Sequence, residues 1–237
     1  MQQSTSMNKC LAGYLGRVPY ESALRLQQRL AQGRAANRIP DVLLLLQHPP
    51  VFTIGRFRGR SEIVAPLEVL NREGIKVFHT SRGGSITYHG PGQLVGYPIL
   101  NLKELELGVR DYVRKLEEVV IRVLADFGIV GERNPQHPGV WLGDKKVCSL
   151  GINVSRHITM HGFALNVNTN LKHFDYINPC GISGVVMTSM SEVVGHPVDV
   201  LATTAPLLKH FSAVFGVKCI RDDGLAQSML RDKMSIA

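Results

Sequence analysis

The chain is poor in the features that build metal centres, disulfide frameworks and membrane spans. Its four cysteines, Cys10, Cys148, Cys180 and Cys219, stand far apart among 237 residues, and no CxxC occurs. That spacing excludes a zinc site of the usual kind and suits free thiols in a reducing intracellular compartment. No HExxH and no carboxylate-rich run is present, so no metal is expected. The longest aliphatic run, 42–46, is far too short to cross a bilayer. Residues 1–7 are polar and lack both a signal-peptide core and the Arg-rich pattern of a transit peptide. Residues 1–8 are therefore expected to be a disordered or artificial lead-in. A P-loop and a dinucleotide fingerprint are also missing, so no cofactor is expected. Aromatics make up only 6% and are not interleaved with basic residues. No helix is continuously basic, which makes nucleic acid the least favoured partner.

What the chain does have is one unusual run, Arg82-Gly83-Gly84-Ser85-Ile86-Thr87-Tyr88-His89-Gly90-Pro91-Gly92-Gln93. Glycine at that density admits positive φ and lets backbone approach a ligand. The intervening side chains hydrogen-bond, stack or carry charge. The run reads as a binding wall, with an ordinary turn-rich connection as the alternative. A formal net charge of +8 points to an acidic partner or to a solvated basic face, with Arg56, Arg58 and Arg60 the densest group.

Helix and strand signals alternate along the rest. Pro19 opens a helix that Gly33 ends, with Tyr20 and Ala23 on its apolar side. Segments 41–47, 51–54, 76–80, 94–100, 139–142, 146–154 and 162–167 read as strands, with Gly143-Asp144 as a hairpin turn. Segment 66–73 is a short helix. Segment 108–127 is the clearest helix, its stripe running through Val109, Tyr112, Val113, Leu116, Val119, Val120, Val123, Leu124 and Phe127 before Gly128. A last helix spans 198–215, and the rest reads as a tail. These elements predict one α/β domain over 9–220, followed by a C-terminal tail over 221–237. Its sheet is mixed or mostly antiparallel, with flanking helices mainly on one side.

Cys180, between Pro179 and Gly181 in a turn, is the best nucleophile candidate; a small buried hydrophobe is the bland reading. Cys148 lies in an apolar strand and reads as core. Cys10 and Cys219 read as structural. A reactive thiolate needs a nearby cation. Alternation along the strand puts Lys146 on one face with Cys148 and Leu150, and Lys145 with Val147 and Ser149. His89 and His161 are the other candidate activators.

Taken in order, five motifs resemble the signature of lipoyl(octanoyl) transferases. They are the glycine run above with Tyr97-Pro98, then Gly139-Val140-Trp141, Lys146-Val147-Cys148-Ser149-Leu150-Gly151, His161-Gly162-Phe163-Ala164-Leu165-Asn166 and Asn178-Pro179-Cys180-Gly181. The resemblance implies an α/β (α+β) fold similar to the biotin and lipoate protein ligase catalytic domain. It implies octanoyl transfer from acyl carrier protein to a lysine of lipoyl domains, those of 2-oxoacid dehydrogenase E2 subunits and the glycine cleavage H protein. Cys180 maps to the nucleophile and Lys146 to its acid–base partner. Substrate contacts map to Arg82, Gly83, Gly84, Ser85, Ile86, Thr87, Tyr88 and His89, to Ser149, Leu150 and Gly151, and to Gly162, Phe163 and Ala164. No nucleotide, nucleic acid or membrane is implied. The location implied is cytoplasmic, or the mitochondrial matrix in a eukaryote. An ATP-dependent lipoate ligase and a non-catalytic acyl-binding module on the same fold stay open.

Overall fold

The computed structural model describes residues 8–56, 62–178 and 185–231. In chain order it contains β1 (Asn8–Arg17), α1 (Tyr20–Ala35), β2 (Asp41–Gln47), β3 (Val51–Ile54), α2 (Leu67–Arg72), β4 (Lys76–His79), β5 (Ile86–His89), β6 (Gln93–Ile99) and α3 (Val109–Asp126). There follow β7 (Glu132–Arg133), β8 (Gly139–Leu142), β9 (Lys145–Ser155), β10 (Ile158–Asn166), β11 (Val186–Met187), α4 (Met190–Val194), α5 (Thr204–Phe215), β12 (Val217–Arg221) and α6 (Asp223–Arg231).

The large sheet runs β12-β1-β2-β6-β10-β9-β8-β7, with β11 added beside β9. It is mixed: β1 pairs in parallel with β12 and β2, and β2, β6, β10, β9 and β8 continue antiparallel. A small sheet, β4-β3-β5, stands apart. Strand β2 explains the layering. Its sequence DVLLLLQ does not alternate, because both faces are covered. Leu43 and Leu45 meet α3 and α5 in one core, while Val42, Leu44 and Leu46 meet α1 in a second. Each fully buried leucine contributes about 2 kcal/mol.

The helices thus flank both faces, which corrects the one-sided arrangement expected. The stripe of α3 buries Tyr112, Leu116, Val119, Val120, Val123 and Leu124, but Val109 is exposed. Pro19 caps α1 rather than entering it, and Gly33 lies inside the helix, which continues to Ala35. The glycine run contains a strand, β5, buried along its whole length. The last long helix starts at Thr204, after a 3₁₀ turn at Leu201–Thr203. Of the expected tail 221–237, Arg221 ends β12 and Asp223–Arg231 form α6, which packs on β1, while residues 232–237 lie outside the described residues. Residues 1–7 lie outside the described residues; Asn8 already belongs to β1.

Candidate functional site

A cavity of about 420 Å3 opens between β5, β6, β9, β10, the segment just before β8 and the N-terminal half of α3. Its walls come from the glycine run, from Ser149 to Ile152 on β9 and from His161 to Ala164 on β10. Tyr20, Val95, Tyr97, Val113, His137 and Pro138 complete it. Of the residues mapped to substrate contacts, Arg82, Gly83, Gly84, Ser85, Ile86, Thr87, His89, Ser149, Leu150, Gly151, Gly162, Phe163 and Ala164 come together here. Tyr88 does not. Its side chain turns into the core of the small sheet, packing on Phe52 and Phe174, with its hydroxyl 2.8 Å from His173 Nδ1.

The glycine run is fixed by buried side chains. Arg82 donates from Nη1 to Gly83 O at 3.0 Å and from Nε to Thr53 Oγ1 at 3.1 Å. Gly84 follows at φ +83, a backbone setting that glycine tolerates and bulkier residues rarely adopt. Ser85 Oγ donates to Glu62 Oε2, and Ile86 N–H reaches the same oxygen at 3.2 Å. Gly83 N–H is committed to Ile152 O at 2.8 Å, so it is not available to hold a developing oxyanion.

Two histidines of this wall, His89 and His161, are held neutral by burial. His89 Nδ1 donates to Gln93 Oε1 at 2.8 Å, so its Nε2 accepts from Thr53 Oγ1 at 3.3 Å. Burial holds its pKa well below the usual value. His161 Nε2 lies 3.1 Å from Ser81 Oγ, and burial, with the Arg82 and Arg56 charges, lowers its pKa to about 4. Both rings are structural partners, and neither is basic enough to hold a proton at neutral pH.

Lys146 sits at one end of the cavity, only 3% exposed, with Nζ 5.2 Å from the centroid of the Trp141 ring. A bulge at Val147 breaks the strand's alternation: Trp141 pairs with Lys146, but Val140 pairs with Cys148. Directly paired residues share a face, so Lys146 goes with Trp141, Gly139 and Ser149, and Cys148 goes with Val140 into the helix-covered core. The expectation that Lys146 and Cys148 share a face is therefore overturned by one extra residue. Burial raises the Cys148 thiol to about 12, which leaves it protonated and inert.

Cys180 lies outside the described residues. The chain on either side of its segment is tied to the site. Asn178 N–H donates to Glu62 O at 2.8 Å, and Val186 and Met187 pair with Lys145 and Lys146. Among the described residues no group of three metal-ligating side chains assembles. No described helix is long and apolar enough to cross a membrane.

Sequence reading missed Glu62, which pins Ser85, and Gln27, whose Oε1 takes His161 N–H at 2.8 Å where that residue adopts φ +59. Neither belongs to a motif. A polar residue inside the apolar pattern of α1 was the available signal for Gln27.

Residues 19–212 match the family described as the lipoyl protein ligase A/B catalytic domain. An octanoyltransferase of Caldicellulosiruptor saccharolyticus is 49% identical over 215 residues, covering 90% of each chain. One from Alkaliphilus metalliredigens is 45% identical, over 87% of this chain and 95% of its own. The fold also matches a bipartite lipoate protein ligase of Thermoplasma acidophilum, solved in a study that included its E2 lipoyl domain. There the TM-score is 0.69 at 17% identity, covering 95% of this chain and 91% of that one.

Proposed function

Since the chain belongs to the lipoyl protein ligase A/B catalytic domain family and, within it, to the octanoyltransferases, we propose that Cys180 and Lys146 carry its acyl transfer. Octanoyl-acyl carrier protein is the donor, and the ε-amine of a lipoyl-domain lysine is the acceptor. The observation that carries this reading is Lys146, a lysine buried at the end of a cavity walled by the glycine run. A lysine almost never lies that deep without a task or a partner.

The chemistry balances with these two groups alone. Cys180 thiolate attacks the thioester carbonyl. The bond to pantetheine sulfur breaks, and Lys146 ammonium protonates the departing thiolate. An amine of the acceptor then attacks the acyl-cysteine and gives its proton to neutral Lys146. Amide forms, and Cys180 leaves as thiolate. Thioester exchange is nearly isoenergetic and amide formation is downhill, so no nucleotide is required. The acyl chain packs along the apolar wall of Val95, Leu150 and Phe163, where about 0.8 kcal/mol per buried CH₂ makes some 5 kcal/mol available for eight carbons. The +8 charge steers acidic carrier and acceptor proteins to the mouth. The work is cytoplasmic, or in the mitochondrial matrix of a eukaryote.

The test is intact mass after mixing the protein with octanoyl-acyl carrier protein, without ATP or acceptor. One octanoyl adduct is expected. Cys180→Ser abolishes it, Cys148→Ser keeps it and Lys146→Ala slows it. An adduct that survives Cys180→Ser sinks the assignment. Product made only from free octanoate with ATP establishes a ligase instead.

A further inference from the structure

Glu117 is the buried carboxylate that the transfer chemistry leaves unused. It projects from the middle of α3, 5% exposed, in a stripe otherwise made of Tyr112, Leu116, Val119 and Val120. A glutamate is costly there unless its oxygens are fully occupied. They are. Oε1 takes the N–H of Gly139 at 2.9 Å, and Oε2 lies 3.4 Å from Arg133 Nε on β7. The interest lies in what Gly139 touches. It is the first residue of β8, with φ +137. A Cβ built on it would overlap Lys146 Cε, and would lie 3.2 Å from Lys146 Nζ and 2.6 Å from Cys148 O. The bare Cα of Gly139 is thus the surface on which the end of the Lys146 side chain rests. On its other flank the ammonium faces the Trp141 ring.

We propose that Glu117 is a positioning residue for the acyl transfer: by holding Gly139 N–H it fixes the glycine that seats Lys146. The proposal rests on the acid–base reading of Lys146 given above. The hydrogen bond is the working part; Arg133, which also pairs with Glu118 at 2.5 Å, faces the other carboxylate oxygen of Glu117 at 3.4 Å. Among the described residues, the titratable groups facing this corner include Glu117 from α3, Cys148 from β9 and His137, which lines the same cavity as Lys146. Glu117 and Lys146 both act on the Cys148 thiol, in opposite directions, so the two lie within electrostatic reach of one another's neighbourhood. A neutral glutamine keeps an acceptor oxygen in the same place, whereas alanine leaves Gly139 N–H unsatisfied and the turn before β8 free to shift.

Misplacement of a reacting group by about 1 Å costs on the order of 100-fold in rate. Glu117→Ala is therefore expected to lower kcat by about 10- to 100-fold with the carrier-protein KM unchanged, and Glu117→Gln to restore most of the loss. In the Lys146→Ala background, Glu117→Ala should cost nothing further, because the group it positions is gone. Glu117→Met, which keeps the bulk of the side chain but accepts no hydrogen bond from Gly139 N–H, should reproduce the kcat loss and covers the case in which Glu117→Ala fails to fold. The same loss in both backgrounds, or a raised KM at unchanged kcat, overturns the inference and leaves the acid–base reading standing. Undiminished kcat in Lys146→Ala overturns the acid–base reading, and this inference with it.

Discussion

Arg82 grips Thr53 from three directions. Its Nε and Nη2 lie 3.1 and 3.0 Å from Thr53 Oγ1, and Nη2 also donates to the Thr53 carbonyl. The first residue of the glycine run is thereby held to the middle of β3. Only a planar guanidinium supplies that set of parallel donors. Arg82→Lys keeps the charge and loses the fork. It should cost about 2 kcal/mol in urea unfolding and lower kcat/KM at least about tenfold, because the run no longer holds its shape. Wild-type kinetics in this variant would remove the idea that the β3 anchor matters to the site.

The buried histidines predict a particular acid sensitivity. Burial lowers His48 and His161 to about 4, and lowers His89 further than an ordinary histidine. The unfolded chain takes up these protons near pH 6.5, and the folded chain does not. Their contribution is complete above about pH 6.5 and is lost as pH falls from there toward 4. For His48 and for His161 this amounts to about 3 kcal/mol at the limit. Urea unfolding at pH 7, 6 and 5 should therefore show falling stability. His48→Gln, lacking one of the three sites, should fall less steeply, by up to about 1.4 kcal/mol per pH unit. Parallel curves for the two proteins would contradict the linkage.

Cysteine reactivity should follow environment rather than number. Cys10 and Cys219 face each other across β1 and β12, and a hydrogen bond between them raises Cys10 and lowers Cys219. Cys148 is buried and raised to about 12. In a Cys180→Ser protein at pH 8, iodoacetamide should modify half-buried Cys219 first and leave Cys148 untouched until the chain unfolds. Peptide mass mapping reads the order directly, and early labelling of Cys148 would refute it.

The packing of α6 makes a prediction about stability alone. Ala226 is buried against β1, where a Cβ on Gly13 would overlap Ala226 Cβ, and Tyr14 N–H reaches Asp223 Oδ1 at 2.9 Å. Ala226→Asp buries a carboxylate in this contact and should cost more than about 2 kcal/mol. A fall of about 4–10 °C in melting temperature is expected, with the KM for carrier protein unchanged. An unchanged melting temperature would mean that α6 contributes nothing to the fold.

Local pattern was legible where the physics is local. The unbroken apolar run of β2 and the periodic stripe of α3 are both visible in the sequence, and Gly128 and Gly216 stop their helices with positive φ as their positions suggest. The glycine run announced the cavity wall, since so many positions there need close backbone approach. What escaped was set by tertiary context. Lys146-Val147-Cys148 looks like plain alternation, and the bulge at Val147 is imposed by pairing with β8. Tyr88, in the middle of the signature, serves the small sheet because β5 alternates its faces. Glu62 and Glu117 are single acidic residues whose meaning depends on a backbone N–H brought from elsewhere. Strands β1 and β12 need each other, and nothing within either segment says so.

That last pairing constrains how the chain can be made. Strand β1 lies between β2 and β12, and Tyr14 meets Asp223 across 209 residues of sequence. At about 5–20 residues per second, translation separates the two strands by roughly 10–40 s. During that interval β1 presents a bare edge of backbone donors and acceptors, a template for any other extended chain. Until β12 emerges, the nascent chain therefore carries an open strand edge, and a chaperone that shields residues 8–17 on the ribosome would act where the fold has not yet supplied its own cover.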